Sequence, residues 1–138
     1  MRYITTFFMF LFTLALAMPA ANAAKASPAT VEGATTVDAA RAKALFDKGV
    51  TFVDVRKDKD WDAGRVPGAR HIELKKVLSD ATLSEAVKKD QEVVIYCNGP
   101  KCMRSSKACA KAVSWGFKKV YYFREGFPAW QTASYPVE

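Results

Sequence analysis

Three cysteines, Cys97, Cys102 and Cys109, offer the most chemistry in this chain of 138 residues. Cys97 follows the apolar run Val93-Val-Ile-Tyr96. It opens a loop made of Asn98, Gly99, Pro100, Lys101, Cys102, Met103, Arg104 and Ser105, after which a helical pattern resumes. A cysteine ending a buried strand is rigidly held, and its sulfur is expected to face solvent. Gly99 lets the loop curl with backbone N–H groups turned inward. The helix that follows aims its positive end at the same spot, and Lys101 and Arg104 add full charges. These surroundings predict a Cys97 pKa below the free value of about 8.5. The expectation is a thiolate nucleophile in an anion cradle formed by Asn98 to Ser105.

The other two thiols read differently. Cys109 shares a helix face with Ala112 and Val113 and is expected to pack in the core. Cys102 has three open roles: pairing with Cys97, acting as a resolving thiol, or packing. A second thiol beside Cys97 could close a disulfide within the loop.

The elements that position this loop follow from local patterns. Asp38 can cap a helix running to Lys48, with Gly49 at its stop. Val50–Val55 and Val120–Phe123 join Val93–Tyr96 as short, continuously apolar strands. Lys57–Asp62 is a charged turn around Trp61, and Arg65–Gly68 is a second turn. Helical stretches are expected at Leu74–Leu78, Leu83–Lys89, Ser105–Trp115 and Phe127–Gln131. Strands too apolar to carry a wet face, alternating with helices, predict an α/β three-layer domain. Its core would be a parallel sheet of about five strands covered by helices on both faces. In such sheets ligands bind beyond the carboxyl ends of the strands, where Cys97 lies.

The chain begins differently. Arg2 precedes an uncharged run from Ile4 to Met18, then Pro19 and the small-residue site Ala21-Asn-Ala23. This is the layout of a secretory signal peptide over residues 1–23, too short in its apolar run for a permanent anchor. A periplasmic or secreted protein is expected, with no stable membrane anchor after cleavage. Residues 24–35, rich in Ala, Ser, Pro and Thr, read as a flexible leader, and the domain as residues 36–138. The net charge of +7 falls by one with loss of Arg2. The basic residues are dispersed as isolated pairs such as Lys75-Lys76 and Lys118-Lys119, so a solvated surface is expected and a nucleic-acid partner is not. Half the residues are hydrophobic, which excludes disorder as the main state.

Four segments together carry a family resemblance: Phe52-Val-Asp-Val-Arg56; Trp61 with Gly64-Arg-Val-Pro-Gly-Ala69; Val94-Ile-Tyr-Cys97 leading to Arg104-Ser105; and Gly126-Phe-Pro-Ala-Trp130. In order and spacing they resemble a single-domain rhodanese, of the thiosulfate sulfurtransferase-like family. The resemblance implies that Cys97 accepts a sulfane sulfur as a persulfide and passes it to a thiophilic acceptor such as cyanide or a thiol. It implies a small anionic donor and neither metal nor organic cofactor. A monomer is expected.

One departure matters. Family members typically place four residues between the catalytic Cys and the last loop residue, whereas six separate Cys97 from Arg104. Phosphatases related to this fold also have a lengthened loop ending in Arg, so phosphatase chemistry is one alternative. Thiol–disulfide exchange through Cys97 and Cys102 is another, and an idle sulfur-carrier or binding module a third. Elsewhere, His71 is expected to make structural hydrogen bonds, Asp54 and Arg56 a buried charge pair, and Trp61 and Trp130 packing contacts.

Overall fold

The structure, a computed structural model, describes residues 26–138. The signal peptide expected at residues 1–23 lies outside the described residues. No helix among the described residues is long and apolar enough to cross a membrane.

The element order is β1 (Ala34–Thr36), α1 (Ala39–Asp47), β2 (Thr51–Asp54), α2 (Asp58–Ala63), β3 (Arg70–His71), α3 (Asp80–Ala86), β4 (Glu92–Tyr96), α4 (Arg104–Ser114), β5 (Lys119–Phe123) and α5 (Gly126–Thr132). The strands form one five-stranded sheet in the order β1-β5-β4-β2-β3. Every pairing is parallel. The expected α/β layering around a parallel sheet is therefore present.

The apolar strands are continuous because alternate side chains enter two cores. Val53, Val93, Ile95, Val120 and Tyr122 face one cluster, joined by Leu83 of α3 and Ala108, Cys109 and Ala112 of α4. Phe52, Val94, Tyr96 and Phe123 face the other, joined by Ala42 and Leu45 of α1 and Phe127 and Trp130 of α5. Period-two alternation with both faces buried is what a covered parallel sheet requires. Each fully buried Val or Ile contributes on the order of 1.5–3 kcal/mol of transfer free energy. Cys109, fully buried among these side chains, packs in the core as expected.

The cap of α1 is as expected: the Asp38 carboxylate accepts the Arg41 N–H at 2.8 Å, and Gly49 turns at φ +80°. Two other readings need correction. Leu74–Leu78 is not a helix but a turn, because the Glu73 carboxylate captures the N–H groups of Lys75 and Lys76 at 2.8 and 2.7 Å. The next helix starts earlier than Leu83, at Asp80, since Ser79 caps it by accepting the Thr82 N–H in a reciprocal box.

Residues 26–35 are likewise not a free leader. Ser27 is buried, and its N–H and hydroxyl both donate to the Pro100 carbonyl, at 2.7 and 2.8 Å. The Pro28 carbonyl accepts from Tyr122 Oη and Arg124 Nε. β1 then pairs with β5 from Ala34 onward. Three polar or small residues suffice for an edge strand, so no hydrophobic period announces it.

Candidate active site

Cys97 stands one residue past β4, in the middle of the sheet, where the chain leaves for the loop to α4. Met103, at the N-terminal boundary of α4, makes no capping hydrogen bond through its side chain. The Cys97 sulfur takes that place instead: the Ser105 N–H points at Sγ at 3.3 Å, and Ser105 Oγ lies 3.2 Å away. A sulfur receiving a helix N-terminal amide is placed for negative charge.

The expected exposure of Cys97 is corrected. The residue is fully buried, because α5 closes over its backbone. Phe127 N–H donates to the Cys97 carbonyl at 2.9 Å, and Gly126, at φ +63°, comes so close to that carbonyl that a Cβ would overlap it.

The ionisation expected for Cys97 is also corrected. The Cys102 thiol, hydrogen-bonding with it, and burial together push the Cys97 pKa upward, against the lowering influence of Ser105. Cys102 moves the other way, down to about 6. Its interaction with Cys97 is the main cause and outweighs burial, with help from the Asn98 and Arg104 backbone N–H groups and the Arg104 charge. The hydrogen bond between the two thiols thus favours negative charge on Cys102 over Cys97. The inward N–H groups anticipated from Gly99 exist, but some of them serve Cys102. Gly99 itself, at φ +107°, accepts the Cys102 N–H at 2.9 Å and so tightens the loop.

The fixed cations fall elsewhere than expected. Arg104 Nη1 is 2.5 Å from Glu73 Oε1 and 3.0 Å from the Val55 carbonyl, so its charge is spent on a carboxylate. Lys101 is exposed. Glu73 was missed in the sequence. Burial alone would raise its pKa, but Arg104 and the Lys76 and Lys75 N–H groups outweigh that and hold it below the ordinary carboxylate value.

Asp54 and Arg56 form the expected buried pair, at 2.6 Å. Burial of the Arg56 guanidinium is more than offset by Asp54, and its pKa is raised. Arg56 donates to the Gly64 carbonyl at 2.6 Å and to Asn98 Oδ1 at 3.4 Å, and lies 4.5 Å from the Phe127 ring centroid. It therefore ties three segments to the first residue after Cys97. Asn98 is held from the other side as well, donating to Asp60 Oδ2 at 3.1 Å. His71 makes the structural bond expected of it, with Nε2 3.0 Å from the Arg56 carbonyl, and stacks on Trp61. Pro100 is fixed by Ser27, and Met103 is exposed.

The family model of the Rhodanese-like domain matches residues 38–133. The chain belongs to the rhodanese-like family. It is 34% identical to the thiosulfate sulfurtransferase GlpE of Pseudomonas fluorescens over 97 residues, which is 70% of this chain and 84% of that one. It is 34% identical to a sulfurtransferase of Allochromatium vinosum over 88 residues, 64% of this chain and 78% of the relative. A Bacillus halodurans protein of known crystal structure superposes with a TM-score of 0.66 at 28% identity, covering 76% of this chain and 77% of that one. Within this rhodanese-like domain the four family segments converge on one loop: the Asp54–Arg56 pair, the Gly64 carbonyl, Cys97 to Ser105, and the Gly126 contact. The sulfurtransferase-named relatives support sulfurtransferase function at the level of the family.

Proposed function

We propose that the protein transfers a sulfane sulfur from thiosulfate, or a similar small anionic donor, to a thiophilic acceptor through a persulfide on Cys97. The observation that carries this reading is the Cys97 sulfur beneath the N-terminus of α4, held by the Ser105 amide and hydroxyl. Cys97 attacks the outer sulfur of thiosulfate as thiolate, its proton passing to the neighbouring Cys102 sulfur. Sulfite leaves, and the Cys97–sulfur bond replaces the sulfur–sulfur bond of the donor. An acceptor such as cyanide or a thiolate then takes the outer sulfur and returns Cys97 to thiolate. The helix N-terminus favours negative charge throughout. The signal-peptide layout of residues 1–23 supports a site of action outside the cytoplasm.

The phosphatase alternative is weakened by Arg104, which would have to clamp phosphate but is engaged by Glu73 and Val55. The test is thiocyanate formation from thiosulfate and cyanide, run beside a panel of other sulfane donors and aryl phosphates. Sulfur transfer by the wild type and none by Cys97→Ser supports the reading. Equal turnover in Cys97→Ser, or hydrolysis of aryl phosphates without sulfur transfer, overturns it.

A further inference from the structure

Sulfur transfer to an outside acceptor leaves Cys102 without a part after the persulfide has formed. Yet its sulfur is built into the loop. The Cys102 N–H is bonded to Gly99 at 2.9 Å, and the Cys97 sulfur lies 3.6 Å from the Cys102 carbonyl. Both residues pack on the same apolar cluster, and the amides of Asn98 and Arg104 bear on the Cys102 sulfur. Cys97 is buried whereas Cys102 is only partly so, so an outside thiol meets Cys102 first. Cys109, the third thiol, is fully buried in α4.

We propose that Cys102 is a resolving thiol that gives the protein a second activity, release of hydrosulfide from the loaded enzyme with closure of a Cys97–Cys102 disulfide. This rests on the persulfide proposed above. The proton that Cys102 took up during loading passes to the outer sulfur, the Cys102 thiolate so formed attacks the inner sulfur of the Cys97 persulfide, and a bond forms between the two cysteine sulfurs. The bond to the outer sulfur breaks, and that sulfur leaves with the electron pair as hydrosulfide. The sulfane sulfur is reduced and the two cysteines are oxidised, so no other oxidant is needed. A dithiol reductant then reopens the bridge, entering at the more accessible Cys102 sulfur and leaving as its own disulfide. The lowered pKa of Cys102 suits it to attack. Hydrosulfide suits the leaving position, because its conjugate acid is more acidic than an ordinary thiol and low-pKa groups depart faster.

The experiment loads wild type, Cys102→Ser and Cys109→Ala with thiosulfate, removes the donor, and follows sulfide release and intact mass without air. Wild type and Cys109→Ala should lose the added sulfur as hydrosulfide and finish two hydrogen atoms lighter. Cys102→Ser should keep its persulfide at least about 10-fold longer. Trypsin cuts after Lys101 and so separates the two thiols. The bridge would then appear as a linked pair, Asp90–Lys101 with Cys102–Arg104. Dithiothreitol should restore loading of the closed wild type. Persulfide decay at equal rates in wild type and Cys102→Ser, loss of release in Cys109→Ala, or a bridge to Cys109 overturns the proposal. Failure of all three proteins, Cys102→Ser included, to acquire sulfur from any donor overturns the proposed function itself, and this step with it.

Discussion

Gly126 lies against the carbonyl of Cys97 more closely than any other residue type would allow, and the next amide, of Phe127, donates to that same oxygen. The first residue of α5 thereby fixes the backbone of Cys97. Gly126→Ala must both adopt φ +63° with a Cβ and push that Cβ into the Cys97 and Gly99 backbone. It should cost about 2–4 kcal/mol, read by urea unfolding. Sulfur transfer should fall more than Pro128→Ala reduces it, since Pro128 is exposed. A Gly126→Ala protein as stable and active as wild type would refute this account of the contact.

Ser105 favours ionisation of Cys97 through both its hydroxyl and its amide. Ser105→Ala removes only the hydroxyl. With that lowering influence gone the Cys97 pKa rises further, so the ascending limb of the pH–rate profile for persulfide loading should move to higher pH. At neutral pH kcat/KM should fall about 10-fold, with recovery in alkali. An unshifted profile would show that the hydroxyl does not act on the thiol.

Glu73 and Arg104 are covered, but both border an open hollow of about 340 Å³ shared with Lys57, Asp58, Lys59, Lys75 and Lys76. Nearby solvent screens the pair, so Glu73→Gln should cost about 1–2 kcal/mol rather than the larger figure for a deeply buried pair. The folded-state pKa of Glu73 lies below its ordinary value of 4.5. Its contribution is therefore complete above the ordinary carboxylate range and fades as pH falls through the folded-state value. Denaturation curves of wild type and Glu73→Gln should converge in acid. A stability gap that stays constant down to acid pH would contradict this.

Ser27→Ala removes the hydroxyl bond to Pro100 and leaves the amide bond. A loss of about 1 kcal/mol is expected. The local sign should be faster tryptic cleavage after Lys101, next to the released carbonyl. Unchanged cleavage would mean that the loop holds its shape without Ser27.

The parallel sheet was readable because Phe52-Val53, Val93-Val94-Ile95 and Val120 to Phe123 are apolar on both faces, a pattern that only a covered strand needs. β1 was not readable, since Ala34-Thr-Thr36 borrows its order from β5. Within the site, Asp54 with Arg56 declared itself as a charge pair two residues apart at the end of a buried strand. Glu73 gave no such signal, because its partner Arg104 is thirty-one positions away. The ionisation of Cys97 was misjudged for a related reason. Dipoles and cations can be inferred from a loop sequence, but the side-by-side placement of two sulfurs depends on how that loop curls.

The bond from Ser27 to Pro100 joins residues 73 positions apart, and β1 pairs with β5, the final strand to be made. The segment from Ser27 through β1 therefore cannot dock until the C-terminal third of the chain is present. β2, β4 and the turns between them can assemble beforehand, so long-range closure is the slow kind of step in this topology. During vectorial synthesis the loop around Cys97 would pass a period with Pro100 uncovered. A nascent chain thus carries its thiols in an unfinished loop, and its chemistry matures only when β1 meets β5.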